Sequence, residues 1–554
     1  MPPEDKIITW SYYFSVALLL VALPLSKYLM SISEFLLTAV FITDGIRKKD
    51  VLDFFGKKGF FRVFVLLLPY GLYWIFTAIL RKFKAFFHRE NAPAWVFSSL
   101  LLLHVIGLLF TTDMDYALKD LRVKLPILLL PLYLSTTGKV DRKVFPVLMY
   151  LFFASLFLGT MISTYLFETK GATDIRDVSP FISHIRFGLL IDIGIFAILF
   201  MILKKNDIPL YGKALLTLLL GWLITFLFIT TSMTGLVILF LTAGIIILYV
   251  SYHKRKIWVR VFITIGIIGA AILIFSYFLE IWKDVYREDP SELHHLQKVT
   301  ALGNPYMNDT TNLQVENGHY VWIYVATDEL RKAWNKRSKF DFDGKDLAGQ
   351  DIKYTIIRFM TSRGLKKDAD GVAKLTDREV KLIEHGVASK VYVNNPGLYV
   401  RIYKIIWEYK RYRETHNPTG HSVMQRFEFW RAASKIIGNN WLTGVGTGDM
   451  DMEFQKEYNK MNSLLEPGFR WRSHNQFLAI LVAFGVFGLT WFLVTLFFPP
   501  IRMHKFHDFY YLSFFIIIIL SMLAEDTIET QAGATTYAFF TSFYLFAKKF
   551  IDVV

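Results

Sequence analysis

The sequence predicts an all-α polytopic membrane protein of about twelve transmembrane helices, with a large, mostly helical external loop domain between spans nine and ten. Three observations predict it. The 554 residues are 54% hydrophobic and 17% aromatic, more apolar than a soluble domain with an ordinary core. Charge-free runs such as Phe514–Leu520 and Ile265–Phe275 recur along the chain. Basic residues gather in short clusters between those runs, as they do in loops retained in the cytoplasm.

Taken in order, the apolar stretches fall near 10–27, 30–45, 61–80, 93–111, 125–137, 145–166, 184–203, 211–230, 234–251, 258–279, 475–499, 509–524 and 535–547. Crossing a bilayer takes about 20 apolar residues, somewhat fewer where protein encloses the helix. Loop charge decides which stretches cross. The loop at 46–58 is basic, with Arg47, Lys48 and Lys49, and 61–80 is followed by Arg81, Lys82, Lys84 and Arg89. Both flanks of 61–80 therefore read as cytoplasmic, and that stretch is expected to be a re-entrant or interfacial helix. The remaining spans place Lys139/Arg142/Lys143, Lys204/Lys205, 253–256, Arg502/Lys505, Lys548/Lys549 and both termini inside. Lys6 precedes an apolar run without a small-residue cleavage site, which reads as a span and not a cleaved signal.

On this map 282–473 lies outside, between membrane parts at 1–281 and 474–554. It is too long for a connector and is expected to fold as its own domain. Leu398, Ile402, Ile405, Ile406 and Tyr409 recur there at helical spacing. So do Phe427, Trp430 and Ile437 after Ser422, a residue type that caps helix starts. Asn304-Pro305 and Asn417-Pro418-Thr419-Gly420 mark turns. The net charge is +15, yet 282–473 holds 30 Lys and Arg against 25 Asp and Glu. Most of the excess is thus a topology signal in short loops, and no nucleic-acid partner is expected. The chain has no cysteine, which excludes disulfides, thiolate metal sites and a cysteine nucleophile.

Several segments carry candidate chemistry. Arg470-Trp471-Arg472-Ser473-His474-Asn475-Gln476 runs into a span, with Gly485 and Gly488 on one helical face beneath, where small residues let another helix approach. It reads either as an interfacial anchor or as guanidiniums and an imidazole assembled for chemistry. In Gln425-Arg426-Phe427-Glu428-Phe429-Trp430, Arg426 sits near a helix start, where it can face an anion. The following Gly444-Val445-Gly446-Thr447-Gly448-Asp449 lacks the strand–turn–helix setting of a nucleotide loop and reads as a turn between helices. Arg186 opens span six, as a boundary residue or as a phosphate contact. Asp113 and Asp115 read as solvated loop residues. His294, His295, His319 and Glu316 have no ligand spacing, so no metal site is expected. Glu525, Asp526 and Glu529, after span eleven, form either a polar turn or partners for the site's arginines.

These residues carry a resemblance. His474-Asn475, nine residues, then Gly485-x-x-Gly488 resembles the His-Asn/Ser/Gln-x9-Gly-x-x-Gly signature of the bacterial O-antigen ligase and polymerase superfamily. Arg186-x3-Leu190 is similar to that family's Arg-x3-Leu motif, and Arg426-x3-Trp430 with the Gly run is similar to its loop signature. The loop's Gly303-Asn304-Pro305-Tyr306, Glu316-Asn317-Gly318 and Gly420-His421-Ser422 look most like members from Bacteroidota. One departure stands out. Many members carry Ser-Arg before span eight, whereas this chain reads Thr231-Ser232-Met233-Thr234-Gly235, without that arginine.

The resemblance implies a multi-pass protein of the bacterial inner membrane with its active site facing the periplasm. It implies transfer of a glycan from undecaprenyl diphosphate to a hydroxyl acceptor, with membrane lipid around the donor's tail and no cofactor. Lipid A-core is the favoured acceptor; a protein hydroxyl or a growing glycan are the alternatives. The chemistry then needs a base for the hydroxyl and cations for the diphosphate. His474 is the expected base, oriented by Asn475 or Gln476, and Arg426, Arg472, Arg470 and Arg186 are the expected diphosphate contacts. Glu525, Glu529 and Trp430 are expected beside the acceptor or behind these groups. The more distant reading is a lipid-linked sugar transporter, but Asp192 is the spans' one charge away from their ends, and no half-repeat is visible.

Overall fold

The computed structural model describes residues 3–46, 51, 60–170, 179–204, 207–254, 256–395, 397–548 and 550–553. Arg47, Lys48, Lys49, Lys205, Arg255 and Lys549 of the basic clusters lie outside them. Among the described residues, nine helices are long and apolar enough to cross a membrane, by length and composition. They fall on nine of the twelve stretches read as spans. Three stretches are shorter helices: Pro126–Thr136, Phe509–Ala524 and Gln531–Ser542, the last running on through a π-helical turn at Phe543–Ala547. Their burial explains the length. Residues 532–547 are buried throughout, and a helix enclosed by protein need not present a bilayer-length apolar face to lipid. The stretch at 61–80 lies within one continuous helix, Phe60–Phe86.

The chain divides into two compact units, Met1–Lys256 with Asn417–Val554, and Ile257–His416. These differ from the expected 282–473 domain at both ends. Residues 417–473 pack with the first unit, because the helix Ser422–Asn439 lies against both Met450–Lys460 and Gln476–Arg502. In the second unit, Ile257–Val285 joins through an apolar seam of Ile281 and Val285 against Tyr403 and Ile406.

In the first unit the hairpin Pro3–Leu25/Lys27–Gly45 turns at Ser26, whose hydroxyl accepts the Leu29 N–H. Ala92–Ile106 packs between Gln476–Arg502 and Pro126–Thr136. The second unit is helical around Trp334, Ile356, Met360 and Ile383, with a short antiparallel ribbon pairing Val315–Glu316 with His319–Tyr320. Its turn is Asn317-Gly318, both at positive φ, as a two-residue hairpin loop requires.

Candidate active site

The site forms where the helix Gln476–Arg502 begins. Residues 470–475 are non-helical, and His474 has φ 45°, a left-handed conformation uncommon for a side chain with Cβ. Asn475 follows as the helix cap, its Oδ1 accepting the Leu478 N–H at 3.0 Å. Its amide donates to the Leu523 carbonyl at 2.9 Å, which ties this corner to the end of Phe509–Ala524. The loop after Leu523 then meets the imidazole: Nδ1 lies 3.1 Å from Glu525 Oε2 and 3.8 Å from Asp526 Oδ1. The ring stacks on Phe429, centroids 5.6 Å apart.

Arg426, on the helix Ser422–Asn439, places Nη2 2.6 Å from Glu525 Oε1. One carboxylate thus holds the candidate base on one oxygen and the candidate diphosphate arginine on the other. The Glu525 side chain is 7% exposed and that of His474 is 32% exposed, so the dyad is supported from within and reachable from outside. Trp430, one turn past Arg426, donates Nε1–H to the Ser473 carbonyl at 2.9 Å. Ser422 is the first helical residue here and His421 occupies the N-cap position, one residue before the expected cap.

A second ionic network lies beside the first. Arg472 Nε is 2.7 Å from Asp451 Oδ1 and its Nη1 3.4 Å from Glu529 Oε2. The guanidinium also bonds the Tyr116 hydroxyl and lies over that ring. Glu529 accepts from Lys124 at 2.7 Å and from the Gln476 amide at 3.0 Å, and Lys124 donates to Asp120 at 2.5 Å. Gln476 therefore orients Glu529 and does not touch the imidazole.

The structure does not bring every expected arginine to this point. Arg470 turns to the Leu465 carbonyl and Asn459 Oδ1, at 2.9 and 2.6 Å. Arg186 donates to Ser183 Oγ at 3.1 Å, and its buried Nε makes no hydrogen bond among the described residues. It is near enough to Glu525 to help hold that carboxyl down. Asp113 caps Met114–Lys124 by accepting the Tyr116 N–H. His319 pairs with Glu292, and Glu316 with Arg358, so the loop histidines do not converge with Glu316.

Electrostatics follow from these partners. Burial by itself would lower the His474 pKa, but the hydrogen bond to Glu525 and the charges of Asp526 and Glu525 outweigh it, and the net shift is upward. Burial pushes Glu525 up, and His474 and Arg426 more than reverse that. Asp526 is raised by burial despite His474. Glu529, also buried, is held well below the usual carboxylate range by Lys124 and Arg472.

The glycine run has a second purpose beyond turning the chain. Gly485 has φ 62° and ψ −163°, a region open essentially to glycine alone, and it breaks the helix. At the break Val445 and Gly446 donate N–H to the Val482 and Ala483 carbonyls at 3.0 and 2.9 Å, and Val486 donates to Trp441 at 2.8 Å. A Cβ on Gly444 would lie 2.3 Å from the Ala483 backbone, and one on Gly485 2.3 Å from that of Leu442. The approach at Gly485 is thus made by a loop, where the pattern suggested a helix; Gly488 does face Leu103 of the neighbouring helix. Asp449 closes the loop, accepting the Thr112 and Asp113 N–H groups at 2.9 and 2.8 Å.

Residues 387–493 match the family model described as O-Antigen ligase. Over that segment, about a fifth of the chain, it is similar to O-antigen ligases. No curated protein matches it. Arg426, Trp430, the glycine run, His474, Gly485 and Gly488 all lie inside the O-antigen ligase match, whereas Glu525, Glu529, Arg186 and Lys124 lie outside it. Asp451, Tyr116, Asp120 and Lys124 escaped the sequence reading. Asp120 and Lys124 are spaced i, i+4, which on a sequence reads as a solvated surface pair, although both are buried here.

Proposed function

We propose that this protein is an O-antigen ligase superfamily member that transfers a glycan from undecaprenyl diphosphate to a hydroxyl acceptor, lipid A-core being favoured, at the periplasmic face of a twelve-span bundle. The observation that carries the reading is the Arg426–Glu525–His474 relay, which sets a cation and a base on one carboxylate. With Nδ1–H donated to Glu525, the tautomer leaves Nε2 free to accept a proton. The acceptor O–H gives its proton to Nε2 as its oxygen bonds the anomeric carbon. The carbon–oxygen bond to the diphosphate breaks, and undecaprenyl diphosphate leaves with that electron pair. Displacement in one step inverts the anomeric centre. Charge developing on the leaving group is met by Arg426, with Arg186 and Arg472 nearby, and a planar guanidinium suits a diphosphate through paired hydrogen bonds.

His474, Glu525 and Asp526 also bring one potential ligand atom each within 4.8 Å of one another, a spacing in reach of a cation. The Arg426 guanidinium already neutralises Glu525, and the reading assigns charge stabilisation to arginine. The test supplies purified protein with undecaprenyl-diphosphate glycan and lipid A-core, acceptor peptide or neither, and identifies the product by mass. Ligated lipid A-core is expected, with loss of roughly 10²–10⁴-fold in His474→Ala and no effect of chelator. A near-wild-type rate in His474→Ala would remove the base assignment. Activity lost to chelator and restored by a divalent ion would assign the trio to a metal. An elongated glycan on its own carrier would make the protein a polymerase.

A further inference from the structure

We infer that the unit Ile257–His416 carries a second binding site, for a saccharide bearing an acidic group, in two cavities that adjoin along Gly364–Lys366. One cavity, of about 580 Å³, is lined by Lys298, Lys366, Lys374 and Tyr306. The other, of about 330 Å³, is lined by Lys366, Lys367, His294 and His319. Gly364, Leu365 and Lys366 wall both, so an oligosaccharide laid across that wall touches each. Both volumes lie in the range of small-ligand pockets, roughly 300–1,000 Å³. These residues are outside the O-antigen ligase match and take no part in the proposed transfer.

The charge balance favours an anion. Of the carboxylates present, Asp368 is engaged by the Tyr306 hydroxyl and the Gly371 N–H, and Glu292 by His319 at 2.5 Å. Asp370 stays exposed on the wall of the first cavity. Lys367 is 2% exposed, and its ammonium's hydrogen bond is a long one, 3.4 Å to the Tyr320 carbonyl. Burial holds its pKa down to about 7 against the pull of Glu292 and Asp368. An acidic group in the second cavity completes its hydrogen-bond shell and keeps it charged.

The aromatic groups favour a sugar as the carrier of that charge. Lys366, bonded to the Gln297 side chain, lies 5.2 Å over the Tyr324 ring. Tyr324 meets Tyr306 edge-on at 5.6 Å. Tyr324 itself is held at φ 56°, a strained conformation for a residue with a side chain, which persists where surroundings over-determine it. Apolar ring faces beside ammonium groups and hydroxyl partners suit a saccharide, whose C–H faces pack on tyrosine while its oxygens take lysine and histidine.

The test uses the full chain in nanodiscs, titrated by calorimetry with a glucuronyl disaccharide, a matched neutral disaccharide and inorganic phosphate. The acidic disaccharide is expected to bind at least about tenfold tighter than either other probe, and Lys366→Glu with Lys374→Glu to weaken it about tenfold. His474→Ala is expected to bind it unchanged. Equal binding of the neutral sugar overturns the role of charge, and equal binding of phosphate overturns sugar recognition. Binding lost in His474→Ala, or kept in the lysine variant, places the ligand elsewhere and overturns the site. Lys366→Gln, which removes charge without reversing it, must weaken binding in the same direction, with an unchanged melting temperature as the check on folding.

Discussion

Glu525 orients His474 and, with Asp526, raises its pKa against burial, while its other oxygen faces Arg426. A general base must be neutral to accept a proton, so under the proposed mechanism transfer is expected to rise with pH as His474 loses its own. Since the folded pKa is raised, the acid limb of the rate profile is expected above the ordinary histidine value of about 6.5. Glu525→Gln removes the anion and is expected to move that limb to lower pH while reducing the maximal rate; an unmoved limb would assign the titration to another group. Arg426→Ala is expected to raise KM for the lipid donor more than Arg426→Lys, because lysine restores charge without the fork. Equal losses would argue against a bidentate diphosphate contact. That His474 and Arg426 belong together was legible because their neighbours in sequence form spaced motifs, and both meet Glu525. Glu525 was visible as one of three acids after a span, with its partner undecided. Lys124 was invisible, since nothing local distinguishes a buried lysine from a solvated one.

At the scale of elements, the break at Gly485 matters more than the span it interrupts. The helix gives up its own hydrogen bonds at 482–486 to bond the loop at 441–446, and so fixes the loop that follows the Arg426 helix. Gly485→Ala must place a Cβ in the Leu442 backbone and hold alanine in a glycine region, which costs about 1–3 kcal/mol before any clash. The expected result is a clearly lower melting temperature in detergent, with loss of transfer. Gly221→Ala, whose Cβ meets nothing within 4 Å, is the control and should be neutral or slightly stabilising. The small residues at 485 and 488 were legible as sites of close approach. That a loop makes the approach at 485 was not, because helical periodicity continues through the break.

For the whole molecule, the positive-inside pattern makes a testable map. The chain lacks cysteine, so single introduced thiols label without background. Leu347→Cys, at a residue 60% exposed, is expected to react with an impermeant maleimide in right-side-out vesicles. Arg502→Cys is expected to react only after the membrane is opened. The reverse pattern would invert the map and set the proposed transfer on the other face. Nine of the twelve expected spans fall on helices long and apolar enough to cross a membrane, and the three shorter helices were legible as apolar runs. The unit boundary at 416 was not legible, because a helix that leaves a soluble segment to pack on the bundle has the same amphipathic pattern as one that stays.

The sequence by itself determined the class of protein and the order of its apolar helices, and it pointed to the histidine and arginine that carry the motif resemblance. Those follow from composition, from loop charge and from spacing, all of which are local. The tertiary structure alone decided which acid holds which base, that Arg470 faces away while Arg472 joins Lys124 through Glu529, and that the glycine run docks into a broken helix. Apart from Arg470, whose partners Leu465 and Asn459 are close in sequence, these pairings join residues tens to hundreds of positions apart. Such pairs form because buried charges must find partners and backbone groups freed at a break must be satisfied, and neither requirement names its partner in the sequence.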